Sequence, residues 1–482
     1  MPFSSIAFLW GFLPLTVVGC LLASRFGPYW LKLWLIVASV LFYGLNGLRQ
    51  LPVFLTLLAI NLAVSQGLRA SRRAGLLATC GVGLDLAVLC WFKYVAPTIW
   101  PDAALPPGIS FFVFTQIGLL LWLAAPSAAP NAASGDGRVS LLDQTLFSVF
   151  FPAILAGPIL NPHEMLPEFR RNRELGLTAE RVAVGLGFFC IGLAKKALLA
   201  DPLSRAVAEG FGDPATAGTL GAWLAAASWY LQLYLDFSGY TDMAIGLGWL
   251  VGIHLPDNFD QPYRAGSVIQ YWQCWHMSLT RFLMANVHTP LTVAVLRRRR
   301  RLGLPINEAA QRSFSGFAAM IGAPILVTML LVGLWHGAQL TYGLFGLIHA
   351  GYLFVNYAWR LRRGPPLPRT VAVGLTQFGV LIAAVVFRAA TVSEAGGVLK
   401  AMAGLDGFGT FDLHAARVFL RVLGLLALVW FAPTTRQFML GEAKDLRLRW
   451  RPSPGMAVAM GCLATLGLLA CNGTQTFVYF RF

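Results

Sequence analysis

Two histidines lie in unusually apolar surroundings. His336 follows the run MLLVGLW and precedes GAQLTYG, and His276 lies within YWQCWHMSL. Ionisable side chains inside apolar helical runs are rare and are functional hypotheses by default. A neutral, buried imidazole can accept a proton from a hydroxyl group, which is general-base chemistry. These residues alone leave a structural hydrogen-bonding role equally open for His336, and His276 fits a structural role as well as it fits orienting His336 or binding substrate.

A second polar group follows the apolar run YLQLYL. The segment DFSGYTD supplies Asp236, Ser238, Tyr240 and Asp242. Two carboxylates beside an apolar span are costly unless they are paired or hydrated, so these side chains could line an aqueous tunnel. The alternative is that Asp236 caps a helix that breaks at Gly239.

Two basic residues and a further histidine complete the candidates. Lys195 and Lys196, in GLAKKALLAD, could counter the two carboxylates or bind a phosphate of a cosubstrate near the cytoplasmic face. His349 lies among small and aromatic residues and is expected to pack rather than to react.

The seven cysteines lack CxxC and Cys/His ligand spacings, so we predict no metal. The GxSxG, Walker, HExxH and Rossmann motifs are absent.

Composition decides the class of protein. The chain has 482 residues, of which 57% are hydrophobic and 12% are charged, with a mean hydropathy of +0.65. Soluble proteins carry roughly twice that charged fraction. Apolar runs of about 20 residues recur, and each can span a bilayer. They lack the alternation of barrel strands, so the sequence predicts an all-α polytopic membrane protein.

The net charge of +16 follows from short basic loops between the apolar runs. Such loops mark the cytoplasmic side and can attract anionic lipid headgroups or a phosphorylated substrate, so nucleic acid is not expected as a partner. This topology places both chain ends outside, including the tail TQTFVYFRF. The basic loops are RASRRAG, EFRRNREL, VLRRRRRLG, RLRRGPPLPR and KDLRLRWR.

The apolar runs predict one integral-membrane domain over residues 1–482, beginning with a true span rather than a signal peptide. A kinked or re-entrant helix is expected at 107–126, a broken helix at 140–160, and a single aromatic helix in SVIQYWQCWHMSLTRFLM. Further spans are expected near 6–24, 30–47, 51–68, 75–95, 218–236, 317–335, 338–358, 371–389, 415–433 and 455–472, with a helix at 178–200 and an apolar piece at 243–253.

The order of several motifs resembles one family, the membrane-bound O-acyltransferases (MBOAT), and within it the bacterial branch that O-acetylates alginate and related exopolysaccharides. The resemblance covers essentially the whole chain, with a motif-bearing core at about 105–360 and an aromatic tail at 474–482. It rests on LPPGISFFVFTQI, FFPAILAGPILNPHEMLPEF, GLAKKALLAD, YLDFSGYTDMAIGLGWLVGIHLPDNFDQPY, WHMSL, LWHGAQLTYGLFGLIHAG and VVFRA.

The resemblance implies a fold and a site. The fold would be a ring of transmembrane and re-entrant helices around a central tunnel. His336 falls at the family's central histidine, taken as catalytic, and His276 falls at its second characteristic histidine. Substrate or tunnel positions are predicted at Trp335, Asp236, Ser238, Tyr240, Asp242, Trp275 and Asn258.

The same resemblance implies an acetyltransferase of the bacterial inner membrane that uses acetyl-CoA as donor. A periplasmic SGNH-type, esterase-fold partner would complete transfer to the glycan, beside a polysaccharide synthase complex. Tyr479 could carry the acetyl group as a transient ester; the alternative is an ordinary aromatic belt residue. Two other classes stay open, a proton-coupled transporter or flippase and a non-catalytic scaffold, and within the enzyme class the acceptor could instead be peptidoglycan or teichoic acid.

Some positions depart from the family pattern. Gln273 and Cys274 replace a charged pair, Asn161 stands where arginine is frequent, and MANVHTPLTVAVLRRRR lacks the usual Gly-Gly-Asn turn. These departures bear on the acceptor or partner surface more than on the acyl chemistry. They predict a divergent subfamily that serves cellulose or another exopolysaccharide.

Overall fold

The fold comes from a computed structural model of the chain, which describes residues 1–100, 104–125, 139–171, 175–442, 449–471 and 477–478. Within these ranges the regular structure is helical, with no β-strand. The α-helices of the first half are α1 (Leu13–Ser24), α2 (Pro28–Asn46), α3 (Leu51–Ala70), α4 (Ala74–Cys90), α5 (Ala96–Ile99), α6 (Ile109–Ala124), α7 (Leu141–Val149), α8 (Phe151–Ile154), α9 (Pro162–Arg170), α10 (Ala179–Ala194), α11 (Ser204–Gly212) and α12 (Pro214–Val251).

The second half of the described chain continues in the same way. Its α-helices are α13 (Val268–Cys274), α14 (Met277–Leu283), α15 (Thr289–Arg301), α16 (Glu308–Arg312), α17 (Phe314–Phe317), α18 (Ala323–His336), α19 (Leu340–Leu361), α20 (Arg369–Arg388), α21 (Val392–Met402), α22 (Leu413–Phe431), α23 (Thr435–Leu440) and α24 (Pro454–Ala470). Wider π-helical turns extend some of them, at Ala7–Phe12, Trp91–Val95, Lys195–Ala200, Met284–His288 and Ala318–Gly322.

Eight helices of the described residues are long and apolar enough to cross a membrane. A helix satisfies its own backbone hydrogen bonds, which a lipid environment cannot do for it. The predicted class, an all-α polytopic membrane protein, is therefore confirmed. The candidate spans are Ala7–Ser24, Pro28–Asn46, Leu48–Arg69, Ala74–Ile99, Ala179–Gly212, Phe314–His336, Arg369–Arg388 and Leu413–Phe431.

The helices fall into two compact units. The first unit comprises residues 1–197, 237–257 and the described residues from Thr435 onward, and the second comprises 198–236 and 258–434. The predicted single domain over 1–482 stays a prediction.

The break predicted within 140–160 is confirmed in the first unit. Helix α7 ends at Val149 and α8 begins at Phe151, whose backbone N–H donates to the Ser39 hydroxyl at 3.0 Å. Polar side chains from neighbouring spans bind α7: Lys32 Nζ lies 2.5 Å from the Asp143 carboxylate. A buried charge pair of this kind replaces the hydration that both groups lose. Irregular backbone is thus supported by protein groups.

The alternative of a helix that breaks at Gly239 is wrong, because α12 continues through Gly239 to Val251. A side chain at Gly239 would place its Cβ 2.7 Å from the Gly192 carbonyl oxygen, so this glycine permits close packing on α10. The interruption of α12 lies instead at Gly218, whose φ of 62° is left-handed. Asp236 is therefore an interior helical residue and not an N-cap.

We expect Gly192→Ala to lower stability, because the added Cβ would lie 2.5 Å from the Gly239 carbonyl oxygen. Overpacking of this kind costs about 1–3 kcal/mol. The thermal unfolding midpoint of the detergent-solubilised protein measures the effect. Gly83→Ala is the matched control, since a Cβ at this helical glycine of the same unit meets nothing within 4 Å. Equal midpoints for the two variants would contradict the assigned packing.

Candidate functional site

His276 lies in a break between helices and not within the single aromatic helix that its sequence predicts. Helix α13 ends at Cys274, and α14 begins at Met277. The cause is a short antiparallel pairing with an upstream segment: the N–H of Asp260 donates to the Cys274 carbonyl, and the N–H of Met277 donates to the Asn258 carbonyl, both at 3.0 Å. His276 consequently has a left-handed φ of 43°. Such backbone strain in a non-glycine residue is concentrated at functional sites.

The side chain of Asn258 stabilises this turn. Its side chain is fully buried, and Oδ1 accepts hydrogen bonds from the Ser278 hydroxyl at 2.6 Å and the Ser278 backbone N–H at 3.2 Å. The same oxygen lies 3.4 Å from His276 Nδ1. Because an amide oxygen only accepts, this arrangement favours the neutral tautomer with hydrogen on Nδ1 and leaves Nε2 as the acceptor nitrogen.

His336 is the last residue of α18, where it is 5% exposed. Its ring lies 4.7 Å from the ring of Phe387 in an edge-to-face arrangement, and Tyr342 and Phe345 follow at 6.0 and 6.3 Å. Aromatic rings thus enclose the imidazole of His336. Phe387 and Phe345 were missed as site residues, although VVFRA and GLFGLIHAG were recognised as motifs.

Trp335 connects the two histidines. Its ring centroid lies 4.5 Å from that of His336 and 6.0 Å from that of His276. The second unit therefore brings together His336, His276, Trp335 and Asn258. The catalytic role of the histidines stays a proposal.

The other predicted residues of the second unit are buried. Trp275 packs on the rings of Tyr271 and Phe259, with centroids 5.6 and 5.1 Å apart. Asp236 lies within α12 and is fully buried. His349 lies 3.3 Å from the indole N–H of Trp272, an arrangement that fits the expected packing role.

A cavity of about 170 Å³ lies along the face of α18 that ends at His336. Ile325, Met329 and Val332 line it, and these residues and His336 share one helix face because they recur at three- and four-residue spacings. Side chains from separate helices complete the walls, so the cavity could not be read from any one motif. They are Ile269, Trp272, Gln273, Thr280, Leu283, Met284, His288, Thr328, Leu353 and Tyr357.

Five predicted residues belong to the first unit: Ser238, Tyr240, Asp242, Lys195 and Lys196. Lys195 Nζ lies 2.7 Å from the Asp242 carboxylate, and the Thr435 hydroxyl donates to the same carboxylate oxygen at 2.7 Å. The lysine therefore pairs with a carboxylate, the first of its two predicted uses. The cosubstrate role of Lys195 and Lys196 stays a prediction.

A second charged contact follows directly. Arg436 Nη1 lies 2.8 Å from Asp257, and the Arg436 guanidinium also pairs with Glu442 at 2.9 Å. Burial raises the pKa of the Asp257 carboxyl, while the nearby guanidinium favours its ionised form. Together with Thr435, this arginine attaches the start of α23 to the C-terminal part of α12 and the loop that follows it.

Two further predictions concern Tyr479 and the absence of a bound metal ion. Tyr479 lies outside the described residues. Among the residues that are described, no group of three or more His, Cys, Asp or Glu side chains could hold a metal ion.

The helices and the buried histidine pair define a multi-pass membrane protein with a histidine-centred candidate site. The sequence pattern of the MBOAT, membrane-bound O-acyltransferase family matches residues 83–302, which include His276. Among curated proteins, the peptidoglycan O-acetyltransferase of Helicobacter pylori is 31% identical over 444 residues, covering 84% of this chain and 80% of the relative. The chain therefore belongs to the membrane-bound O-acyltransferase family, and it is an O-acyltransferase.

Two other relatives show the range of the similarity. The probable alginate O-acetylase AlgI of Pseudomonas aeruginosa is 30% identical over 437 residues, covering 86% of this chain and 76% of the relative. The teichoic acid D-alanyltransferase of Bacillus subtilis is 24% identical over 372 residues, covering 72% of this chain and 86% of the relative. The family expectation drawn from the motifs is confirmed.

Proposed function

We propose that this chain moves an acetyl group from cytoplasmic acetyl-CoA across the bacterial inner membrane for O-acetylation of an exopolysaccharide of the cellulose or alginate type. The observation that carries the proposal is the buried, aromatic-walled His336, which shares one face of α18 with three residues that line the cavity. An imidazole in this place suits proton transfer from a hydroxyl group to a thioester leaving group.

One general base, His336, is enough for the proposed acetyl transfer. Neutral His336 takes the proton of the incoming hydroxyl, and the hydroxyl oxygen attacks the thioester carbonyl carbon. The carbon–sulfur bond then breaks, and the imidazolium returns the proton to the departing thiolate. Holding both reactants in one confined site supplies the orientation that a bimolecular reaction lacks. His276 positions Trp335 or substrate beside this centre.

The basic end of α15 supports donor entry from the cytoplasm. Arg297–Arg301 form an exposed or half-exposed run that follows the cavity residue His288 along the same helical stretch. A run of arginines marks the cytoplasmic side and attracts the phosphates of coenzyme A. The cavity would then accept the thioester end of the donor.

The acceptor is a polymer outside the membrane, so a periplasmic SGNH-type partner would complete the transfer beside a polysaccharide synthase complex. The relatives are named for action on peptidoglycan, alginate and teichoic acid. Deleting this chain and restoring it should remove and return acetyl esters on the exopolysaccharide. Unchanged esters there, with loss on peptidoglycan or teichoic acid, would overturn the assigned acceptor.

The relay through Tyr479 has its own test. Tyr479→Phe should reduce exopolysaccharide acetylation by at least about 10²-fold, because the ring stays apolar while the hydroxyl that would carry the ester is removed. The acetyl content of purified polysaccharide measures it. Tyr29→Phe, at an exposed tyrosine of α2, is the matched control. Full acetylation in Tyr479→Phe would refute the relay.

A further inference from the structure

Phe477 lies beyond α24, yet it is only 2% exposed. Its ring stacks on that of Tyr240 with centroids 4.5 Å apart and planes 25° apart, and it meets Phe237 edge-on at 6.0 Å. Val478 is buried as well. Two buried side chains outside α24 need a surface that covers them.

The surface that receives Phe477 is built by other parts of the first unit. Tyr240 also stacks on Phe3, with centroids 4.7 Å apart and planes 20° apart. Phe3 in turn packs on Phe8 at 5.0 Å and on Phe42 at 5.7 Å. Offset stacking of aromatic rings adds to the burial of their area. The rings of Phe3, Tyr240 and Phe237 thus form an aromatic surface. Phe8 and Phe42 pack on Phe3 and support this surface.

We propose that Phe477 is a positioning residue that docks the C-terminal tail on Tyr240 and Phe237. Docking fixes the main chain at a position two residues before Tyr479. An acyl-carrying tyrosine needs such a fixed main chain, because the group that it transfers must return to one place in each cycle. This inference rests on the proposed relay for its purpose, but the docking contact itself does not. Tyr240 is then the tail's receptor and not a lining residue for substrate.

The docking contact has a direct test that needs no acyl chemistry. Chymotrypsin must take an aromatic ring into its pocket to cleave after it, so the buried Phe477 should resist cleavage in the solubilised full chain. Tyr240→Ala should speed cleavage after Phe477 at least about tenfold, read by mass spectrometry of the released peptide. Tyr29→Ala, at an exposed tyrosine, is the control and should leave the rate unchanged. Equal rates in Tyr240→Ala and the unsubstituted chain would overturn the docking.

The positioning role is tested on Phe477 itself. Phe477→Ala should lower polysaccharide acetylation at least about tenfold while the thermal unfolding midpoint of the solubilised protein changes little. Phe477→Leu keeps an apolar side chain on Tyr240 and should recover acetylation to within about threefold. Phe431→Ala, at a ring that is 80% exposed at the end of α22, should change neither readout.

The outcomes separate the two ideas. Full acetylation in Phe477→Ala would overturn the positioning role. Full acetylation in Tyr479→Phe, with cleavage after Phe477 still accelerated by Tyr240→Ala, would refute the relay and leave the docked tail standing. Loss of acetylation together with a lowered thermal unfolding midpoint in Phe477→Ala would assign Phe477 a structural role and overturn positioning.

Discussion

His336→Ala should lower acetyl transfer by about 10²–10⁴-fold, which is the usual contribution of a positioned general base. The side chain is 5% exposed and is walled by Trp335, Phe387, Tyr342 and Phe345, so water has little room to replace the imidazole. Release of coenzyme A thiol by the purified protein in proteoliposomes measures the rate. The thermal unfolding midpoint, measured beside it, should change little in comparison.

His414→Ala is the matched control for this variant. His414 belongs to the same unit but is exposed, where it pairs with Glu209 at 3.1 Å. Its loss should leave the rate of thiol release unchanged. A His336→Ala protein that folds and transfers acetyl groups at the original rate would give His336 the structural role that its sequence context also allows.

Asn258→Leu is expected to cost about 10²-fold in acetyl transfer. The substitution keeps the branched shape of the side chain but removes the oxygen that accepts from Ser278 and faces His276 Nδ1. The left-handed turn at His276 then loses its support, and a shift of about 1 Å in a reacting group can cost this much. It also removes the acceptor of two buried hydrogen bonds from Ser278, at about 1–3 kcal/mol of stability.

Asn258→Asp separates positioning from folding. Aspartate keeps an acceptor oxygen where Ser278 donates, so we expect its activity to fall by no more than about tenfold. Asn286→Leu is the control, because the Asn286 amide bonds only within its own helical turn, to the Phe282 carbonyl at 2.9 Å. If Asn258→Leu keeps full thiol release, Asn258 does not position His276.

Several features were predictable because they depend on local composition. Apolar runs of span length require helices, since lipid offers the backbone no hydrogen-bond partners. The break within 140–160 was visible because Pro152 follows the polar residues of α7. His336 and His276 were identifiable because imidazole is rare in such runs, and the ordered motifs around them led to the correct family.

Other features could not be obtained from local sequence. Glycine at position 239 reads equally well as a helix breaker or as a packing contact, and only the facing Gly192 decides for packing. The residues around His276 have helical spacing, yet pairing with Asp260 and Asn258 from a distant segment breaks the helix. Such tertiary hydrogen bonds outweigh the weak helical preference of a short aromatic stretch.

The sequence by itself determined the class of protein, its family and the two histidines, because each depends on which residue types occur together along the chain. Only the tertiary structure decided the tautomer-selecting contact of Asn258, the pairing of Lys195 with Asp242 and the burial of Phe477 on Tyr240. Each of these contacts joins residues far apart in sequence. Their geometry follows from helix packing, which no local pattern records.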